Sequence, residues 1–198
     1  MAGRHLEVPP TRSRGEFLPT LPRVAQTCYN AGMRILGVDP GLSVTGYGLV
    51  DTDSTKPRLI EGGIICTDAG APLAQRLHSI HAGMTEVIAE HRPDVVVVEE
   101  LYAKYRHPRT AILMGHARGV ICLAAAAAGV PLQSYTASQV KKSLTGNGNA
   151  SKEQIKRMVC RIFGLSKPPA RADVTDALAL ALCHASPGRA GWRSGRGG

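Results

Sequence analysis

Residues 33–49 read MRILGVDPGLSVTGYGL and contain two apolar, β-branched segments separated by a turn. The segment 34–38 has the composition of a buried strand, and 44–50 that of a second strand. A Pro-Gly pair between them favours a tight turn, so the stretch predicts a β-hairpin. Asp39 then ends a buried strand, where a carboxylate is costly to bury without a positive charge beside it. On this stretch alone, a plain turn cap is the alternative for Asp39.

The predicted elements continue outward from this hairpin. Residues 58–67 predict a third, antiparallel strand, and the β-branched run 94–100 is typical of a central parallel strand. A short fifth strand is predicted at 131–135. Helices are predicted at 72–91, 107–128, 136–144, 151–163 and 170–185. This order predicts an α/β, ribonuclease-H-like fold, in which a five-stranded mixed sheet carries helices on both faces.

The composition is that of a globular protein with an anionic partner. The chain has 198 residues, of which 43% are hydrophobic and 20% charged, and its net charge is +9. Its five cysteines are dispersed and form no CxxC spacing, which indicates reduced thiols in a cytoplasmic protein and neither a disulfide framework nor a zinc site. We expect no apolar run to reach the length of a membrane span, so no membrane partner is predicted.

The two ends of the chain differ from its centre. Residues 1–32 are rich in Pro and Arg without apolar periodicity, and they predict a disordered N-terminal extension. Residues 187–198 predict a disordered Gly/Arg-rich tail. The segment 33–186 is then a single ordered domain. No apolar core of a secretory signal is present near the start, and Met33 is an alternative start of translation.

Three further acids are predicted to lie near Asp39. Glu99 ends the fourth strand, at the edge where open α/β sheets place their sites. Asp173 and Asp176 are three residues apart at the start of the last helix, so they share one helix face. For this pair a capping box, with Asp173 as N-cap and Asp176 at the third helical position, is the simpler alternative.

Four converging carboxylates require cations. Two unit charges about 4 Å apart repel by roughly 4 kcal/mol at an effective dielectric constant of 20. An all-oxygen cluster suits Mg²⁺ or Mn²⁺, and two such ions support hydrolysis of a phosphodiester. The charges also separate along the chain: residues 33–100 carry five Lys/Arg against ten Asp/Glu, and 101–161 carry ten against one. This asymmetry favours a polyanion lying across a basic surface onto an acidic centre.

Four motifs together resemble the RuvC family of crossover-junction endodeoxyribonucleases over residues 33 to about 186. The motifs are DPGLSVTGYG at 39–48, VVEELY at 97–102, GHARGV at 115–120 and ADVTDALALA at 172–181. The resemblance implies a ribonuclease-H-like nuclease that, as a homodimer, resolves Holliday junctions by paired symmetric nicks during DNA recombination and repair. It also implies the RuvA–RuvB branch-migration complex as a partner.

The resemblance also assigns roles to individual residues. Its four metal-binding catalytic acids match the four carboxylates above, with two Mg²⁺ per subunit and Mn²⁺ as a possible substitute. Its DNA contacts match Tyr102, which would stack on junction bases, and Lys141 and Lys152, which would bind phosphates. The dimer contact falls on the helix that carries Gly115 and Gly119, although packing of these glycines against the sheet is an alternative. Contacts of the 104–108 loop are not carried over.

Three other functions remain open from the residues. An actin-like ATPase shares the pattern GVDPGxxxT, but it needs a duplicated second half for which this chain is too short. A non-catalytic DNA-binding module would use the same acids as caps and turns. An RNA-processing nuclease of the same fold would keep the acids and differ only in its substrate.

Overall fold

Five strands form one mixed sheet. The structure is a computed structural model that describes residues 32–52, 56–101 and 108–186. The strands are β1 Arg34–Asp39, β2 Val44–Asp51, β3 Arg58–Cys66, β4 Val95–Glu99 and β5 Leu132–Tyr135. Their order in the sheet is β3-β2-β1-β4-β5. β1, β2 and β3 pair antiparallel, whereas β4 lies parallel to both β1 and β5.

Helices cover both faces of this sheet. They are α1 Leu73–His91, α2 Pro108–Ala127, α3 Ala137–Thr145, α4 Lys152–Phe163 and α5 Ala172–Ala185. On one face, Leu36, Val38 and Val96 pack into a core with α1 and α2. On the other face, Ile35 and Val97 pack into a second core with α3, α4 and α5. The predicted five-stranded, ribonuclease-H-like arrangement is therefore confirmed.

Glycines in β1 and β2 bring α5 unusually close to the sheet. A Cβ added at Gly37 would collide with the backbone oxygen of Ala177, and one at Gly46 with the backbone of Asp173. Main chain therefore packs directly against main chain at these points, which no other residue type allows. The result is that the start of α5 lies over the ends of β1 and β2.

Helix α2 has an apolar face that the described residues leave open. Ile112 and Leu123 are 60% and 58% exposed. A Cβ at Gly119 would meet nothing within 4 Å, and one at Gly115 would meet only Leu101, at 4.0 Å. The alternative in which these two glycines pack against the sheet is therefore wrong for the part of the chain that the structure describes.

The same helix corrects an expectation about membrane spans. Residues Arg109–Ala127 are long and apolar enough to cross a membrane by length and composition alone, and 22% of them are buried. The expectation that no apolar run reaches that length was wrong, because the apolar stretch continues past its single internal charged residue, Arg118. That guanidinium donates hydrogen bonds to groups at the ends of β4 and β5. In this structure α2 is thus a helix of the folded domain.

The predicted domain boundaries stay predictions. Residues 1–31 and 187–198 lie outside the described residues, as does the centre of the loop between β4 and α2. The described segments between them contribute to one sheet and its two cores.

Candidate metal centre

Asp39 is placed by the end of β1 and the turn that follows. It is the last residue of the strand and pairs with Gly46 of β2. The hydroxyl of Thr45 donates to the backbone oxygen of Gly41 at 2.8 Å, which closes the turn. Because side chains alternate along a strand, Asp39 projects to the same face as Ile35, toward α5.

Glu99 ends β4, the strand next to β1. Val95 and Val97 pack into the core on the α5 side, so Glu99, at the next alternate position, projects to that side as well. The carboxyl ends of parallel β1 and β4 therefore present Asp39 and Glu99 side by side. Glu100, the next residue, is exposed.

Asp173 and Asp176 lie in the first turns of α5. The helix begins at Ala172, its N-cap residue is Arg171, and no side chain caps it. The capping-box alternative for Asp173 and Asp176 is therefore wrong: Asp173 is already inside the helix. Neither side chain is therefore used as a helix cap.

Neighbouring acids and burial act together on Asp39 and Glu99. Burial, followed by repulsion from Asp176, Glu99 and Asp173, raises the pKa of Asp39 from 3.8 to about 7, against a smaller opposing effect of Lys152. Burial and then Asp176 also raise the pKa of Glu99. These carboxyl groups therefore need a cation in order to ionise together at neutral pH.

Two internal cations already partner the acids of α5. The Lys152 ammonium lies 3.2 Å from a carboxylate oxygen of Asp176, and that carboxylate raises the pKa of the lysine. The Arg171 Nε lies 3.5 Å from a carboxylate oxygen of Asp173. Lys152 reaches the cluster because Ser151 forms a capping box that starts α4 at this residue.

A pocket of about 110 Å³ opens beside the acids. Its polar lining comes from Glu99, Lys141, Lys152 and Asp176, and its apolar lining from Ala137, Val140, Ile155, Ala179 and Leu180. Lys141 opposes the upward shift in the pKa of Glu99, so it also contributes positive potential here. The structure thus places both predicted lysines beside the predicted acids.

The donor set fits a hard divalent cation. All four side chains offer carboxylate oxygens, which Mg²⁺ and Mn²⁺ prefer. In this conformation, no three His, Cys, Asp or Glu side chains of the described residues are close enough to hold one ion. Lys152 and Arg171 draw Asp176 and Asp173 into ion pairs, so binding of a metal ion requires these two carboxylates to exchange partners.

One predicted site residue cannot be placed, and two contacts went unpredicted. Tyr102 and the 104–107 loop lie outside the described residues. The ion pair of Arg171 with Asp173 was not foreseen, although an arginine two residues before an acid at a helix start was a usable signal. The contact of Arg118 with the backbone of Glu99 was signalled only by its place in the GHARGV motif.

A family model, a relative and two solved structures that resemble this chain all point to the same family. The family described as crossover junction endodeoxyribonuclease RuvC matches residues 35–184. A crossover junction endodeoxyribonuclease RuvC from Rhodopirellula baltica is 50% identical over 149 residues, which cover 75% of this chain and 84% of the relative. The RuvC structure from Thermus thermophilus is similar with a TM-score of 0.72 and 40% identity, over 77% of this chain and 93% of that one. A Thermus thermophilus RuvC in complex with a Holliday junction substrate matches with a TM-score of 0.72 and 38% identity, over 80% and 96%.

Proposed function

Because this chain belongs to the RuvC family of crossover junction endodeoxyribonucleases, we propose that its four clustered carboxylates form the centre with which it cuts DNA. The protein is a nuclease that resolves Holliday junctions. The observation that carries the assignment of the site is that the pKa values of Asp39 and Glu99, at the carboxyl ends of β1 and β4, are raised first by burial and then by the neighbouring acids. We propose that these four residues are catalytic.

The four side chains share one task in this proposal, which is to bind metal ions. RuvC nucleases depend on divalent metal ions, and Asp39, Glu99, Asp173 and Asp176 would hold two Mg²⁺ per subunit, with Mn²⁺ as a substitute. When bound, such ions polarise the phosphodiester and lower the pKa of water for its hydrolysis. Without them, the Asp39 carboxyl retains a proton up to about pH 7.

Lys141 and Lys152 would orient the DNA backbone. Both line the pocket next to Glu99 and Asp176, where their ammonium groups meet any phosphate that approaches the acids. Contacts to phosphates set the register of DNA on a protein and carry no sequence information. Tyr102 remains a proposed stacking residue, on the basis of the family resemblance alone.

Lys152→Ala is expected to weaken junction binding and to flatten its salt dependence. Loss of one phosphate contact lowers the slope of log K against log salt by about 0.9. The measurement is a titration of labelled four-way junction at several salt concentrations in EDTA. Arg58→Ala is the control, because it removes one charge at the opposite edge of the sheet, where Arg58 pairs with Asp51. An unchanged slope for Lys152→Ala would remove this lysine from the DNA interface.

We propose that the exposed face of α2 is the contact of a homodimer. Ile112 and Leu123 present a large apolar area to solvent, and Gly119 between them allows another backbone to approach. Two copies related by a two-fold axis would bury the same face on each, as isologous dimers do. A two-fold dimer would also present two acidic centres to the two strands that paired symmetric nicks require.

Leu123→Asp is expected to convert the dimer into a monomer, because a carboxylate would be desolvated in the contact. Light scattering coupled to gel filtration measures the mass. Leu73→Asp is the matched control: Leu73 is also an exposed apolar residue, at 38%, but it lies on the first turn of α1. A dimer that survives Leu123→Asp would locate the contact elsewhere.

The wider setting of the enzyme is proposed on the family resemblance. We expect it to act in the cytoplasm with the RuvA–RuvB branch-migration complex, through the ordered segment 33–186, and without a membrane partner. An RNA-processing nuclease of the same fold is not favoured, because a similar structure contains a Holliday junction substrate.

A further inference from the structure

The arginine of the GHARGV motif in α2 has no part in the function described so far. This residue, Arg118, is half-buried and makes two hydrogen bonds. Its Nε donates to the backbone oxygen of Glu99 at 3.1 Å, and its Nη2 donates to the Ser134 hydroxyl at 2.8 Å. One guanidinium therefore joins the carboxyl ends of β4 and β5, beside a proposed metal ligand.

The backbone oxygen of Glu99 needs this donor. Glu99 is the last residue of β4. The last backbone hydrogen bond between this strand and β5 runs from the Glu100 nitrogen to the Tyr135 oxygen. Beyond this point the chain leaves the sheet. A partly buried carbonyl without a donor turns toward water, and the peptide that carries it turns as well. That rotation would displace the Glu99 side chain.

Arg118 acts from the side of the sheet opposite the acids. Val96 and Val98 pack into the core with α1 and α2, whereas the Glu99 side chain projects toward α5. Arg118 therefore has no direct access to a metal ion between the carboxylates. It can act on them through the main chain of Glu99, and its planar fork of donors fixes that main chain in direction as well as distance.

We propose that Arg118 is a positioning residue that orients Glu99 for metal binding, an inference that rests on the proposed role of Glu99. Hydrogen-bond partners that orient a metal ligand typically contribute about 10- to 100-fold in metal affinity or activity. The effect falls on metal affinity and on the rate of cleavage. Junction affinity stays unchanged, because the guanidinium is directed into the domain, where Nε and Nη2 each donate a hydrogen bond.

The test is direct binding of Mn²⁺ to Arg118→Met by calorimetry, without DNA. We expect an affinity about 10- to 100-fold below that of the wild type, and a nicking rate that partly recovers at high Mg²⁺. Junction affinity in EDTA and its salt slope are expected to match the wild type. Arg109→Met is the control, since Arg109 is exposed on the first turn of the same helix.

Two outcomes would overturn the inference. Wild-type Mn²⁺ affinity in Arg118→Met would show that Glu99 needs no such support. Weaker junction binding with a flatter salt slope would make Arg118 a phosphate contact instead.

If Arg118→Met does not fold, Arg118→Lys replaces it. A single ammonium group cannot make both hydrogen bonds of the planar guanidinium, so Mn²⁺ affinity should stay below the wild type. Full Mn²⁺ affinity in Arg118→Lys would contradict the inference. Failure of the proposed function would give a different result: if Glu99 is not a metal ligand, Glu99→Gln binds Mn²⁺ with the affinity of the wild type.

Discussion

Asp39→Asn is expected to abolish junction cleavage and to keep, or tighten, junction binding. Asp39 ends the central strand, and the other three carboxylates all act on its pKa, so it is the residue whose loss disturbs the centre most. A metal ion contributes several kcal/mol to such a reaction, and each 1.4 kcal/mol or so is tenfold in rate, which gives a loss of about 10³-fold or more. Removal of a negative charge also favours the approach of DNA.

Single-turnover nicking and an equilibrium binding titration measure these two effects. Glu100→Gln is the matched control, because it removes an exposed carboxylate next to Glu99 and should cleave like the wild type. Loss of both cleavage and junction binding in Asp39→Asn would point to a structural role for this side chain.

The same variant tests the electrostatics of the metal-free cluster. Because the pKa of Asp39 is raised from 3.8 to about 7, the folded protein retains a proton over this range that the unfolded chain releases. The free energy of unfolding therefore falls as pH rises from about 4 to 7, by up to about 1.4 kcal/mol per pH unit from this group. In EDTA, Asp39→Asn should lose less thermal stability than the wild type between about pH 4 and pH 7.

Gly37→Ala is expected to have the largest effect on stability. Its Cβ would collide with the backbone oxygen of Ala177 and approach the Ala181 nitrogen to 2.9 Å, and neither group can turn aside as a side chain would. Overpacking of this kind costs about 3 kcal/mol or more. For a domain of this size, that lowers Tm by about 6 to 12 °C.

Calorimetry at one pH and metal concentration measures the change in Tm. Gly70→Ala is the control, since a Cβ there would meet only the Asp68 carboxylate at an ordinary 3.5 Å. The acids of α5 would move with the helix, so cleavage should fall in Gly37→Ala even below its Tm. A wild-type Tm would mean that α5 packs less closely on β1 than the structure places it.

The sequence alone predicted the elements and the acids because both have local signals. Runs of β-branched residues predict strands such as β4, and Asp39 and Glu99 lie at the ends of two such runs. The start of α5 was less predictable, because it depends on packing against Gly37 and Gly46, which are distant in the chain. For that reason the capping box at Asp173 was a reasonable but wrong alternative.

Long-range contacts and exposed faces were beyond local signals. Arg118 meets Glu99 and Ser134 across 19 and 16 residues, and no periodicity encodes that pairing. The exposure of Ile112 and Leu123 on α2 was not predicted from periodicity, although the family resemblance placed a dimer contact on this helix. The ion pair between Lys152 and Asp176 depends on where α4 and α5 meet, although each residue was a candidate on its own.

A nicking assay with purified protein tests the proposed function most directly. Wild type and Asp39→Asn are incubated with a four-way junction that has a mobile homologous core, a matched duplex and a structured RNA, with Mg²⁺ or with EDTA. We expect paired, symmetric nicks in the junction alone, only with Mg²⁺ and only in the wild type. Cleavage by Asp39→Asn at the wild-type rate, or cleavage by the wild type in EDTA, would contradict the proposed function.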